Sequence, residues 1–475
     1  MPVTDNHANY DENRDFWSRC RDVVNGTDAV KAAKEAYLPK LGGQDDDGYD
    51  SYRERAPFYG ASDRTIQGLV GSVFRKPPKV VAPSAIEEHL DDVTLMGESL
   101  AQFSRKYLKE LLTTGRCGIL VDMPEADENQ IAATEPPRPY WARYRAEDIT
   151  NWHTRRINGK VTLSMVVLHE TVIEPDPVDE FARLQVEQYR VLYLDAPGKY
   201  AVNIWRKAET KESEQDSWYI FSSPAPQIVG EPLDFIPFVF DPESGKPPLL
   251  DLVDMNLSHY RTMADLEHGR HYTALPTPWV AGFDVTRDLT IGSTVAWVAT
   301  DCNAKAGMLE FTGQGLGALE RAADEKEKKM AALGGRLLET QKAAVEAAET
   351  IRMRTAGEQS ILADMADVAS QNLTTALQWH AVWMRAGESQ VSVQLNKDFD
   401  NARMTPEECA KLTLSWQAGG MSWKTLYYNL ELGELTRPGI DADQERLDIE
   451  SERIDFAPLD PTTQNGPAQK GVGAT

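Results

Sequence analysis

Apolar residues recur at helical spacing early in the chain. Phe16, Trp17, Cys20, Val23 and Val24 lie within a helix predicted over residues 14–38, Ala-rich toward its end and stopped by Pro39. LGGQDDDGYD after it reads as a loop. Ser62 or Asp63 can cap a second helix that carries Ile66, Leu69, Val70 and Val73 before Pro77-Pro78 ends it. Residues 98–114 place Leu100, Phe103, Tyr107, Leu108 and Leu111 on one helical face. Gly115 then turns the chain into RCGILVDMP, whose unbroken apolar run predicts a buried strand.

From 125 to 240 the period changes to that of strands. EADENQIAATEPPRP is an acidic, Pro-bearing loop. VTLSMVVLHETVI and QYRVLYLDAPGKYAVNIWRKA read as strands, with Ala196-Pro197-Gly198 as a hairpin turn, and IPFVFDP (236–242) as a last short one. From 248 the chain is mainly helical. Leu249, Leu252, Val253, Leu257, Tyr260, Met263 and Leu266 form one stripe, and a Gly-, Pro- and Thr-rich stretch with short β runs follows over 275–319. Residues 318–345 and 359–386 are again helical, the second through Leu362, Met365, Ala369, Leu373, Ala376, His380 and Trp383. SQVSVQLNKDF alternates as a strand, and two short helices flank Gly419-Gly420. The tail from Pro458 is of low complexity and expected to be disordered. The fold class is α+β, and no internal repeat is visible.

Composition adds three bounds. With 41% hydrophobic and 26% charged residues the chain forms cores. Its net charge of −24 is the opposite of what a sequence-reading DNA binder carries. Cys20, Cys117, Cys302 and Cys409 are scattered without a CxxC pair, which argues against structural zinc and a disulfide framework and fits a reducing cytoplasm. The N-terminus lacks the apolar core of a secretion signal. No apolar run approaches the ~18–20 residues of a spanning helix, so no membrane partner is expected.

The chemistry of nucleotide hydrolysis is missing. Gly245-Lys246 lacks the upstream glycine of a phosphate loop and runs into Pro247. GQGLG (313–317) lacks a βαβ context. There is no Gly-x-Ser-x-Gly or His-Glu-x-x-His. His259, His268 and His271 are close in sequence, but their spacing does not put all three on one helical face. The acidic clusters Asp45–Asp47 and Glu125–Glu128 sit in loops; they are the residues a metal-dependent nuclease or hydrolase would use, and solvated loops are the simpler reading. No catalytic residue, metal or cofactor is expected, and the chain is not read as an enzyme.

Three stretches together carry a resemblance. They are SYRERAPFYGASDRTIQGLVGSVFRKPP with LLTTGRCGILVDMP and RPYWARYRAEDITNW; IPFVFDPE followed by PPLLDLVDMNLSHYRTMADLEHGRHYTALPTPWVAG; and SWQAGGMSWKTLYYNLELGEL with DADQERLDIESE. In order and spacing, from about Tyr49 to Ile454, they resemble a family of tailed-bacteriophage portal proteins known for long only as a domain of unknown function. The resemblance implies a ring, typically of twelve subunits, at one capsid vertex. It would conduct DNA for packaging and ejection and dock terminase, capsid or scaffold protein and a head–tail adaptor. It implies N-terminal helices and an α/β wing over 1–247, a first stem helix over 248–270 and a clip over 271–317. A second stem helix over 318–345, a tunnel loop over 346–360, a long wing helix and strand over 361–404, a helical crown over 405–456 and a disordered tail over 457–475 complete it. The hydrophilic tail after Asp455 is not explained by the family pattern.

Charge gives that scheme its candidate residues. Leu319 to Glu358 holds eight acids and eight bases, neutral within an acidic chain. One reading is a solvated helix with mixed i,i+4 pairs. The other places Lys326, Lys328, Lys329 and Arg336, with Arg352 and Arg354 of the loop ETIRMRTAGEQS, as sparse basic rings on a channel wall, enough to guide non-specific double-stranded DNA without holding it. Glu434 to Asp460 holds nine acids and three bases, a surface that repels DNA or simply a solvated helix. Trp279, Phe283, Trp297 and Phe311 are the clip and interface candidates, set among Gly and Thr where strand edges invite partners. A virion protein without a channel is the remaining alternative.

Overall fold

The first predicted helix is three pieces, because Gly26 interrupts it with φ +94°. Helix α1 spans Ala8–Asn25, with His7 Nδ1 accepting from Asn9 N at its start, α2 spans Thr27–Ala32, and a 3-10 turn follows over Lys34–Ala36. The computed structural model describes residues 2–124, 137–157, 159–208, 218–224, 226–228, 231–275, 277–283, 296–299, 301–309, 313–334, 348–387, 391–397, 399, 404–433, 435–437 and 440–452.

The supposed acidic loop becomes helix α3, Asp46–Arg55, since Asp45 Oδ1 caps it by accepting from Gly48 N at 2.8 Å. Helix α4 is Ala61–Val73 and begins before the expected cap. Ser62 lies inside it, buried, its backbone N–H directed at Asn256 Oδ1 and its hydroxyl 3.1 Å from the same oxygen. Strand β1 (Lys79–Val81), helix α5 (Ser84–Glu87) and a 3-10 turn (Glu88–Asp91) lead to α6, Leu100–Thr114. A reciprocal Ser99/Gln102 capping box starts α6, and Gly115 at φ +79° ends it.

All six residues of β2, Cys117–Asp122, are buried. β2 is central in an antiparallel three-stranded sheet between β3 (Tyr140–Arg145) and the short β9 (Phe238–Val239). Gly118 is required there: a Cβ would lie 2.2 Å from Phe238 Cζ. A five-stranded antiparallel meander runs in chain order through β4 (Ile149–Ile157), β5 (Lys160–Pro175), β6 (Arg183–Leu194), β7 (Tyr200–Lys207) and β8 (Trp218–Ser222).

Helix α7, Leu250–Ala274, is buried on two sides. Leu250, Val253, Leu257, Tyr260 and Ala264 share a core with Cys20, Val23, Val30, Leu38, Tyr49, Tyr52 and Ala56 of the N-terminal segment. A two-stranded antiparallel ribbon, β10 (Thr277–Ala281) with β11 (Lys305–Leu309), precedes α8, Leu316–Leu333. Helix α9, Ala348–Trp383, buries Leu362, Ala366, Ala369, Leu373, Ala376, Leu377 and Ala381, and β12 (Ser392–Gln394) pairs with β1. Trp383 Nε1 donates to Val121 O at 3.0 Å, tying α9 to β2.

The chain divides into two compact units, Met1–Asp398 and Phe399–Thr475. The second holds α10 (Pro406–Gln417), α11 (Trp423–Leu432) and α12 (Ala442–Glu452). Thr405 and Glu408 form the capping box of α10, Trp423 Nε1 donates to Ala442 O, and Arg437 pairs with Glu445 and Asp448 at 2.7 Å each. The molecule is thus mixed helix and sheet, 47% helical and 22% strand, in agreement with the α+β expectation.

Candidate functional site

The stretch from α7 to α9 is the candidate module: a long helix, a β ribbon, a second helix packed back on the first, then the longest helix of the chain. The low amphipathicity of α7 follows from its double burial. One face meets the N-terminal core, and His259, Thr262 and Gly269 turn toward α8. A Cβ on Gly269 would come within 2.6 Å of Leu316 Cδ2, so the two helices approach closely there. Across the same seam His259 Nε2 lies 3.3 Å from Glu327 Oε1, and burial holds the imidazole below its ordinary pKa despite that carboxylate. Nearer the ribbon, Arg270 bridges Glu267 and Glu320 at 2.8 Å each.

Lys326 is a correction to the basic-ring reading. Its Nζ donates to Ser258 O at 3.0 Å and to Thr262 Oγ1, both on α7. Half-buried, it fastens the two helices; desolvation draws its pKa down. Its position, four before the buried Met330 and three after the buried Ala323, puts it on the packed stripe of α8. Lys328 and Lys329 are exposed. Arg336 lies outside the described residues.

Of the tunnel loop expected over 346–360, the described part, from Ala348 on, is helical backbone. Described residues from Ala348 are continuous with α9, so Arg352 and Arg354 stand on its first turns. Ala, Glu, Arg, Met and Gln dominate this stretch and favour the helix, and the single Gly357 costs only about 1 kcal/mol there. The helix boundaries shift elsewhere too. The first helix runs on to Ala274 rather than 270, where Thr273 Oγ1 donates back to Gly269 O. The second is described to Leu333 and closes at Gly334, where a Cβ would meet Thr65 Cγ2 at 2.7 Å.

In the ribbon, Trp279 pairs across to Gly307, and its indole covers that glycine so closely that a Cβ would sit 2.9 Å from Nε1. The other edge of Trp279 remains exposed, as do Met308 and Leu309. Phe283 and Trp297 meet edge to face at 6.4 Å. Phe311 lies outside the described residues. An open groove of about 770 Å³ at the foot of the ribbon is lined by His268, Tyr272, Gly313, Gln314 and Leu316.

The acidic cluster Asp45–Asp47 has structural duties: Asp45 caps α3 and Asp46 pairs with Lys40 at 2.6 Å. Glu125–Glu128 lie outside the described residues. His268 packs against Tyr52 and Tyr272, away from His259. Among the described residues no group of three His, Cys, Asp or Glu side chains is placed to hold a metal ion, and no helix is long and apolar enough to cross a membrane.

Two polar centres escape sequence reasoning. Arg116 is fully buried, stacked between Trp17 (5.0 Å) and Trp152 (4.7 Å), with Nη2 donating to Asn9 Oδ1 at 2.6 Å and to the Pro242 and Ser244 carbonyls. It forms no ion pair among the described residues, and burial lowers its pKa to about 10. The indole faces stand in for the missing carboxylate. His380 of α9 is also buried. Its Nδ1 accepts from Trp141 Nε1 at 3.2 Å, so Nε2 carries the proton and donates to His89 Nδ1 at 3.0 Å. Burial, then the nearby His89 and Arg138, push its pKa down to about 3. The one sequence signal for Arg116 is a lone charge at the head of an unbroken apolar strand; for His380 there is only its place on the apolar stripe.

Residues 248–384, the whole of this module, match a family described as a domain of unknown function (DUF4055). No curated protein matches the chain. Among solved structures, it is similar to a chain from the neck of an empty GTA particle computed with C6 symmetry, at 13% identity and TM-score 0.37, over 84% of this chain and 97% of that one. It is likewise similar to a chain from the virion of a native gene transfer agent particle, at 12% identity and TM-score 0.36, over 85% of this chain and 98% of that one.

Proposed function

We propose that the chain is a portal subunit, a non-enzymatic ring protein at one capsid vertex through which DNA is packaged and ejected. The observation that carries the reading is the order within 248–384: α7, β ribbon, α8 folded back on α7, then α9, in the stretch where the sequence resembles portal proteins. In this reading α7 and α8 are the stem, the ribbon with Trp279, Phe283, Trp297 and Phe311 is the clip, the start of α9 borders the tunnel, and α10 to α12 form the crown. A head-to-tail contact between neighbouring copies closes into a ring when the rotation permits. The partners would be further copies, non-specific double-stranded DNA, terminase, capsid or scaffold protein and a head–tail adaptor.

The basic-ring idea survives in reduced form. Lys328 and Lys329, exposed on α8, are its remaining described stem candidates, with Arg336, Arg352 and Arg354 beside them in sequence. Few contacts per phosphate give weak grip and easy sliding, as a conduit requires. Negative-stain imaging of the purified chain tests the reading: rings with a central hole of duplex width are expected. Monomers, sheets or solid discs would remove it.

A further inference from the structure

The β5–β6 hairpin outgrows the sheet that carries it. β4 pairs with β5 only from Lys160 to Leu168, and β7 pairs with β6 only from Gln188 to Leu194. Beyond those limits, among the described residues, Thr171 to Pro175 and Arg183 to Glu187 pair with each other alone. At ~3.3 Å per residue they form an arm roughly 17 Å long. Its base is braced. Glu170 accepts from Arg190 Nε and Gln188 Nε2 at 2.7 Å each, and Glu174 accepts from Arg206 Nη2 at 2.6 Å.

The tip is also held in one shape. Asp176 Oδ1 accepts from Val178 N at 2.7 Å and from Asp179 N at 3.1 Å, and Asp179 Oδ1 accepts from Phe181 N at 3.0 Å. Ala182 N donates to Asp179 O, and Asp176 N to Ala182 O. This network turns the two apolar side chains outward: Val178 is 93% exposed and Phe181 is 87% exposed. Scattered exposed apolar residues need no explanation, but a valine and a phenylalanine three positions apart in one hydrogen-bonded turn, at the end of a braced arm, form a preorganised anchor. Three carboxylates, Asp176, Asp179 and Glu180, share the turn with them. The only cation of the tip, Arg183, is directed at the carbonyls of Glu180 and Ala182.

We propose that the tip of the β5–β6 arm, Asp176 to Arg183, is a docking knob for a partner protein that offers an apolar pocket rimmed by Lys or Arg. An aromatic side chain buried in a pocket at the centre of a contact carries most of its energy. The carboxylates of the turn select by charge. They disfavour an anionic lipid surface and another copy of this chain, whose net charge is −24, and they complement a basic rim. The inference does not depend on the portal reading.

The test uses the full chain and a displayed random-peptide library, counter-selected on V178S/F181S. Both side chains are exposed, so this variant keeps the wild-type thermal midpoint within the small range of surface substitutions. Recovered peptides that combine Lys or Arg with large apolar residues, bind wild type about tenfold tighter than the variant, and weaken with added salt support the knob. Glu180→Gln removes one charge without touching the turn, and a shallower salt dependence is expected from it. Equal binding to V178S/F181S, selected peptides without basic residues, or no enrichment would each overturn the proposal. So would self-association of wild type that V178S/F181S abolishes, or wild-type binding to phosphatidylserine vesicles that the variant lacks.

Discussion

Acidification gives the sharpest test of the packing between α9 and the β2 sheet. His380 has a folded pKa of about 3 against 6.5 in an unfolded chain. A histidine with a depressed folded pKa takes up its proton only after unfolding. The unfolded state therefore binds more protons between these two values, and stability falls as pH drops through 6.5, levelling near 3. The full gap is worth about 5 kcal/mol, and near pH 5 about 2 kcal/mol of it is already lost, at ~1.36 kcal/mol per pH unit. His380→Gln removes the titration while its amide can still accept from Trp141 and donate to His89. Urea unfolding followed by tryptophan fluorescence, near pH 7.5 and near pH 5, reads both proteins. Wild type is expected to lose about 2 kcal/mol more than the variant over that interval. Other carboxylates and histidines act on both alike and cancel in the difference. Equal losses would refute the neutral, doubly hydrogen-bonded assignment of the ring.

Lys326→Ala should lower stability by about 1–2 kcal/mol, because its two bonds to α7 are lost, while Thr262 Oγ1 keeps its bond to Ser258 O. Lys328→Ala with Lys329→Ala should change stability by less than about 0.5 kcal/mol, so only this pair can be scored cleanly by DNA packaging. Gly118→Ala should cost about 2–4 kcal/mol or abolish soluble expression, since Phe238 occupies the Cβ position and β2 is central; a wild-type urea midpoint would contradict it. Arg116→Ala should cost about 3–5 kcal/mol, combining a cavity between two indoles with three lost hydrogen bonds, and the same denaturation assay decides it.

The elements legible in the sequence were those whose period is local. The face of α6, the run of β2, the Ala196-Pro197-Gly198 turn and the stripe of α9 all follow from spacing alone. Two misreadings share one cause, a side chain whose partner is remote in sequence. Lys326 looks like a solvent-facing base until Ser258 and Thr262 are placed opposite it. Ser62 looks like a cap until Asn256 is. The loop of Asp45 to Asp47 is a local miss, an Asp cap on Gly48 three residues on. The long strands were expected, but β3 and β4 were not. Tyr140–Arg145 and Ile149–Ile157 carry charged and aromatic residues that read as neither run nor alternation. They become strands because β2 and β5 supply the hydrogen bonds.

The double burial of α7 bears on how the module can be handled and loaded. The matched family span opens at residue 248, yet the apolar seam of its first helix is completed by α1 to α3, more than 180 positions upstream. Residues 248–384 are therefore half of a shared core and not an autonomous folding unit. Excised alone, they would bare Leu250, Val253, Leu257, Tyr260 and Ala264 to water. For the same reason a pull on the ribbon does not stop at the helical hairpin. It travels along α7 into α1 to α3, so a device built on this hairpin is mechanically geared to those helices.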